Sequence, residues 1–264
     1  MLKLTPEITQ KIIDFYVSGK TSYETADQFN CSQSFILKIL KNNNIKSRTT
    51  QSYTTKYIAN EKFFDKIDTE EKAYFLGLMY ADGNNYIKYP NYQISIKLIN
   101  SDRIILEKFK DLISPNTPLK IIDKKYCQFR INSKVLSQQL NNLGCVPAKS
   151  LILTFPKFIL PNLLSHFVRG YSDGDGCIYQ SKKNYIWQIT STNIFCNYLK
   201  QHIKNILDVN CCVSLSNSNF NKITSNLSVG GNLQSRKVLD WLYKDAKIYL
   251  PRKYDKYQKF IILN

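Results

Sequence analysis

The feature that most limits what this 264-residue chain can fold into is one nine-residue pattern that occurs twice. FLGLMYADG fills positions 75 to 83 and VRGYSDGDG positions 168 to 176, which sets Asp82 and Asp175 93 residues apart. Two later matches keep the register. Ser133-Lys134-Val135-Leu136 answers Arg236-Lys237-Val238-Leu239 at an offset of 103, and Val146-Pro147-Ala148-Lys149 answers Leu250-Pro251-Arg252-Lys253 at 104. The offsets rise monotonically, so residues 161–264 repeat residues 68–160 with roughly ten residues inserted.

Within each half the periodicity runs helix, strands, helix, strands, helix. From Tyr92 to Ile99 apolar and polar residues alternate, placing Tyr92, Ile94, Ile96 and Leu98 opposite Gln93, Ser95 and Lys97. From Tyr126 to Asn132, Cys127, Phe129 and Ile131 oppose Gln128, Arg130 and Asn132. In the second half Trp187 and Ile189 oppose Gln188 and Thr190, and Leu227 and Val229 oppose Asn226 and Ser228. This is the pattern of half-buried antiparallel strands. Their polar faces hold amides, hydroxyls and bases with few acids, which suits reading base edges in a major groove; for any single residue an ordinary solvated face is the alternative.

The repeated motif carries the chemistry. Each copy predicts a helix that stops at its final glycine, a residue suited to the left-handed conformation at a helix C-terminus. Gly77 and Ala81 are four apart, as are Gly170 and Gly174, so each helix has a smooth strip on one face. Two such strips cross with backbones nearly touching, and the helix ends then lie side by side with Asp82 and Asp175 on them. Carboxylates at the negative ends of two helix dipoles repel one another unless a cation joins them. A hard divalent ion with oxygen ligands fits, and Mg2+ keeps waters that can act as nucleophile.

Composition points the same way. Lys and Arg number 37 against 20 acids, a formal charge of +17, which calls for a polyanionic partner unless an AT-rich gene has simply filled the chain with lysine. An anionic membrane surface is the weaker rival, since no long basic amphipathic helix and no apolar run of eighteen residues occurs. The start, MLKLTPEITQ, lacks the apolar run of a signal peptide, so an intracellular chain is expected. Seven cysteines, odd in number and without C-x-x-C spacing, argue against a disulfide framework or zinc finger. With two histidines only, His166 and His202, histidine-based nuclease chemistry has little material.

Residues 1–45 predict three short helices. Ile8, Ile12, Ile13 and Tyr16 recur at helical spacing after Pro6; Thr21-x-x-Glu24 is a capping-box pattern; Ser32 can cap a third helix with Ile36, Leu37 and Leu40 inward. Gln33, Ser34 and Lys38 then face outward on a unit that resembles a helix-turn-helix, the third helix being the reader. Residues 46–67 are expected to be a basic linker, since Lys46 to Asn60 hold three bases and no acid.

The paired motifs resemble those of the LAGLIDADG homing endonucleases in their single-chain form, over roughly Asp68 to Tyr257. The resemblance implies an α+β fold of two pseudo-symmetric αββαββα halves with saddle-shaped antiparallel sheets over double-stranded DNA. It places the metal ligands on Asp82 and Asp175, with the carbonyls of Ala81 and Gly174 beside them, and a phosphate-stabilising role on Lys149 and Lys253, for which ordinary surface lysines are the alternative. It implies Mg2+, with Mn2+ able to substitute, a monomer, and hydrolysis of both strands at a long asymmetric site, leaving 3′ overhangs; it implies no protein partner. Tyr80 departs from the motif where the second copy keeps Asp173, at a position the family does not use as the essential ligand. The ends Met1-Leu2 and Ile262-Leu263-Asn264 lack the residues protein splicing needs, which disfavours an intein. A non-cutting DNA-binding regulator and an intron RNA maturase of the same fold remain the alternatives.

Overall fold

The computed structural model describes residues 4–47, 57–216 and 224–263, which fall into two compact units divided between Lys56 and Tyr57. The stretch 48–56, most of the expected tether, lies outside the described residues.

The smaller unit holds α1 (Pro6–Val17), α2 (Ser22–Gln28) and α3 (Gln33–Asn42). Each helix starts on a side-chain cap. Thr5 accepts from the Ile8 N–H, Ser32 from the Phe35 N–H, and Thr21 and Glu24 form the predicted reciprocal box. The core gathers Ile12, Tyr16, Ala26, Ile36, Ile39 and Leu40. Ile39 takes the inward place expected for Leu37, which is only half-buried, because Ile36, Ile39 and Leu40 share one face at i, i+3, i+4 spacing.

The larger unit runs α4 (Glu70–Ala81), β1 (Gly83–Lys88), β2 (Asn91–Ile99), α5 (Arg103–Ile113), β3 (Lys120–Ile122), β4 (Tyr126–Asn132) and α6 (Lys134–Asn142). The same order recurs in α7 (Leu164–Asp175), β5 (Gly176–Ser181), β6 (Asn184–Thr192), α8 (Asn193–Leu207), β7 (Cys212–Leu215), β8 (Thr224–Gly230) and α9 (Asn232–Tyr243), followed by α10 (Pro251–Leu263). Each half is an antiparallel sheet, ordered β1-β2-β4-β3 and β5-β6-β8-β7. The register puts Ile94 opposite Ile131, Ile96 opposite Phe129, Trp187 opposite Val229 and Ile189 opposite Leu227, so the predicted apolar faces are the buried ones.

At the centre α4 is buried on every side from Ala73 to Tyr80, and α7 from Phe167 to Asp173. They cross on the predicted small-residue strips. A β-carbon at Gly77 would stand 2.8 Å from the Tyr171 nitrogen, and one at Gly170 would stand 2.8 Å from the Tyr74 carbonyl carbon.

Two expectations are corrected here. The motif-ending glycines are not left-handed: Gly176 is extended at φ −101°, and Gly83 and Gly176 begin strands β1 and β5. Glycine is needed because the chain doubles back over the last helical turn, where a β-carbon would lie 2.5 Å from the Met79 carbonyl or the Ser172 carbonyl. Nor does the linker reach residue 67. Phe63, Phe64 and Ile67 are core residues; both rings lie 6.4 Å from Phe109, and the Asn60 N–H donates to the Ile113 carbonyl at 2.7 Å. Two adjacent phenylalanines carry too much apolar surface to remain in solvent.

Candidate active site and nucleic-acid interface

Asp82 caps α4 and Asp175 is the last residue of α7, each one residue before a strand. The crossing brings them together: a β-carbon on Gly174 would collide with that of Ala81 and stand 3.0 Å from an Asp82 carboxylate oxygen. Burial and then the Asp82 charge push the Asp175 carboxyl up to about 6, against the pull of Lys149 and Lys253. Burial likewise raises the Asp82 carboxyl, opposed by Lys253, Lys149 and Arg252. Both side chains still open to solvent on one side, although protein atoms crowd the rest of each group.

Lys149 and Lys253 are not surface lysines; they are 7% and 3% exposed. Lys149 donates to the Gly83 carbonyl and, at 3.4 Å, to that of Ala81. Lys253 donates to the Ser172 carbonyl at 2.8 Å and to the Gly176 carbonyl. Each ammonium thus sits on carbonyls at the junction of a motif helix and the strand that follows it, the end of the helix where its dipole favours a cation. Burial lowers the Lys253 ammonium to about 8, with Asp173 opposing the shift.

These residues fit a hard cation that keeps most of its waters. Among the described residues no three His, Cys, Asp or Glu side chains gather at one point, so a fully protein-caged ion is not accommodated. Two neighbouring carboxylates, one of them held near 6 by burial and then by the charge of the other, with Ala81 and Gly174 adjacent, match the sparse donor set that suits Mg2+. A cavity of about 680 Å³ beside His166 and Arg169 lies toward the other end of α7, away from these groups, and takes no part in this chemistry.

The sheet candidates divide by burial. Lys97, Arg130 and Asn132 are exposed, whereas Gln93 is half-buried and donates to Asn132 at 3.0 Å. Ser95 and Gln128 are buried, contrary to the alternation. Ser95 lies in register between the longer Asn84 and Arg130, and Gln128 between Lys97 and Lys120, so neighbouring strands cover them. In the second sheet Gln188, Thr190, Asn226 and Ser228 are half-buried; Thr190 donates to Asn226 at 2.8 Å and Tyr179 to Gln188 at 3.4 Å. On α3, Ser34 and Lys38 are exposed, but Gln33 is half-buried and donates to Ser22 at 3.0 Å, so it does not face outward as expected.

Behind the carboxylates lies a buried polar network that the sequence reading does not include. Arg169, 1% exposed, donates to Glu70 at 2.6 Å and to the carbonyls of Ile248 and Leu242 at 2.8 Å. Asp173 accepts from Tyr74 and Leu250 at 2.7 Å and from Tyr243 at 2.6 Å. An arginine in an apolar motif, where the first copy has Leu76, was the signal available, because a buried charge requires a partner.

No known protein-family profile matches the sequence. Solved structures match the fold. The meganuclease I-SmaMI, bound to uncleavable DNA in its crystal, superposes with a TM-score of 0.52 at 13% identity over 72% of this chain and 88% of its own. The LAGLIDADG meganuclease I-AabMI, bound to uncleaved DNA, gives 0.51 at 16% identity over 72% and 88%. The LAGLIDADG homing endonuclease I-GzeII, in complex with its DNA target, gives 0.50 at 11% identity over 75% and 90%. The chain has the LAGLIDADG endonuclease fold. In sequence, an uncharacterized protein of Methanocaldococcus jannaschii, MJ0314, is 29% identical over 185 residues, 67% of this chain. The chain spans 64% of that protein, less than two thirds of its length. Among the described residues no helix is long and apolar enough to cross a membrane.

Proposed function

We propose that the chain is a Mg2+-dependent endonuclease that cuts both strands of double-stranded DNA at a long asymmetric site. The observation that carries this reading is the crossing itself: two carboxylates at the ends of packed helices, each followed immediately by the first strand of its own sheet. A groove-reading sheet on either side and a carboxylate pair between them suit two cuts on opposite strands of one duplex.

A bound divalent ion would supply charge neutralisation at the phosphate and a more acidic water for in-line attack. Asp82 and Asp175 would hold it, one serving each strand, beside the carbonyls of Ala81 and Gly174. Lys149 and Lys253 stand fixed next to those carboxylates and would offset the charge that develops on the phosphate. Exposed Lys97, Arg130 and Asn132 would contact the half-site under the first sheet, with Gln188, Thr190, Asn226 and Ser228 under the second. The small N-terminal unit would bind DNA through α3, whose Lys38 and Lys41 are accompanied by no acid on that helix.

The test begins with purified full-length protein, Mg2+ and a genomic library, with sequencing of the new ends. On a plasmid carrying the recovered site, Asp82→Asn and Asp175→Asn should each leave nicked circles, and the double variant should bind the site without cutting. Linear product from the double variant would sink the assignment.

A further inference from the structure

Lys253 reaches the crossing on residues 247–250, and that stretch is tied down at four backbone atoms. Glu70 accepts from the N–H groups of Lys247 (2.8 Å) and Ile248 (3.2 Å). Arg169 donates to the Ile248 carbonyl (2.8 Å), and Asp173 accepts from the Leu250 N–H (2.7 Å). Leu250 is where α10 starts: its carbonyl takes the N–H groups of Lys253 (3.0 Å) and Tyr254 (3.1 Å). Lys253 therefore stands one turn beyond the residue that Asp173 holds, and its ammonium returns to the carbonyl of Ser172, the neighbour of Asp173.

Three donors occupy the Asp173 carboxylate, one of them Tyr74 from the first half, and the group is wholly buried. Lys149 is reached differently. Tyr80 and Leu76 stand where the second half has Asp173 and Arg169, and the neutral Tyr80 hydroxyl donates to the Leu143 carbonyl. Asn85 and Cys145 complete that turn, through bonds to the carbonyls of Cys145 (2.9 Å) and Met79 (3.3 Å). One lysine is held by a clamp of charged groups, the other by neutral ones.

We propose that Asp173, supported by Glu70 and Arg169, is a positioning residue for Lys253, fixing where that ammonium stands beside Asp175 and so serving one of the two strand cuts. The effect on cutting rests on the endonuclease reading; the effect on Lys253 itself does not. A purely structural Asp173 would lower stability and slow both cuts alike.

Asp173→Asn keeps the volume but offers an amide where one donor needs an oxygen, and Tyr243→Phe removes a single bond and carries the test should the first variant not fold. In the absence of DNA and metal, acetylation of each lysine by acetic anhydride is followed by mass spectrometry. Lys253 should react faster in both variants, with Lys149 unchanged in the same sample. On a duplex labelled on each strand, with Mg2+, one strand should be cut about tenfold or more slowly while the other keeps its rate, since small displacements of a positioned group cost that much. In a Lys253→Met background Asp173→Asn should add nothing to that loss. Unchanged Lys253 acetylation in folded variants, or equal slowing of both strands, overturns the proposal. Faster Lys253 acetylation in a protein that cuts no DNA even as wild type would uphold the positioning role and sink the endonuclease reading instead.

Discussion

Gly170 lies directly against the backbone of Tyr74: a β-carbon there would stand 2.8 Å from the Tyr74 carbonyl carbon and 3.0 Å from the Leu78 nitrogen. Gly77 makes the reciprocal approach to Phe167 and Tyr171. The obstacles are main-chain atoms of buried helices, which cannot swing aside as a side chain can. Since Asp82 and Asp175 each lie five residues further along, this approach also sets how near the carboxylates come.

Gly170→Ala should therefore destabilise the larger unit by ~3 kcal/mol, the upper range for overpacking a well-filled core. Cutting should fall as well, even at temperatures where the variant is folded, because the crossing must widen. Urea unfolding of variant and wild type measures the first effect. An unchanged midpoint would mean that the helices have slack the geometry does not show.

The carboxylate pair makes stability depend on pH in the metal-free protein. Asp175 titrates near 6 when folded against an ordinary 3.8, so between those values the folded state holds a proton that the unfolded state has released. Stability from this group is then fullest below about pH 4 and is lost as pH rises toward 6. In chelator, Asp175→Asn should melt above wild type at pH 7, and the two should converge near pH 4. Mg2+ should raise the wild-type midpoint by more than the variant's, which keeps only Asp82. A variant that melts below wild type at pH 7 in chelator would contradict the raised carboxyl.

Much of this was legible in the sequence, and the parts that were not share a cause. Spacing alone located Asp82, Asp175 and the glycine strips, because the helix period and a 93-residue offset are properties of one dimension. The same holds for the inward faces of β2, β4, β6 and β8. What a residue meets from another element is not written in its own neighbourhood. Ser95 and Gln128 are covered by side chains one strand away, and Gln33 is turned inward by Ser22 eleven residues back. Phe63 and Phe64 read as linker because the apolar partner that claims them, Phe109, lies 46 and 45 residues on. Lys149 and Lys253 read equally well as surface lysines because the carbonyls they meet lie at helix–strand junctions 66 to 81 residues away. The final motif glycines, expected as left-handed helix caps, instead allow close passage of the chain over the last helical turn.

On the endonuclease reading, burial separates the sheet residues that would reach DNA from those that would not. Arg130→Ala should weaken binding by about 1–3 kcal/mol and relax preference at one base pair if the guanidinium meets a guanine edge. Lys97→Ala should weaken binding to all sequences alike and lower the slope of affinity against salt by about one phosphate contact. Ser95→Ala and Gln128→Ala should leave affinity nearly unchanged, since neither side chain reaches the surface. Binding isotherms at several salt concentrations distinguish these cases. A shallow slope for the wild type, worth only about one or two phosphates, would make the +17 charge a matter of composition and remove the basis for extensive backbone contact.

The N-terminal unit has its own core and helix caps, and the division after Lys56 places Tyr57 onward in the larger unit. Deleting residues 1–56 should leave a folded body that cuts at the same positions, binds more weakly and protects less DNA at one end, because a tethered second module raises effective concentration without contacts at the cut. Deleting residues 1–67 should fail differently: it removes Phe63 and Phe64 from the core, each worth about 3–5 kcal/mol when lost, and the body should unfold. Within the unit, Lys38→Ala and Ser34→Ala should reproduce the shortened footprint, whereas Gln33→Ala should act on stability through its lost bond to Ser22. Footprints of the shorter deletion and the full chain, taken side by side, decide the matter. Identical protection and affinity would show that α3 reads no DNA, whatever the resemblance of its surroundings.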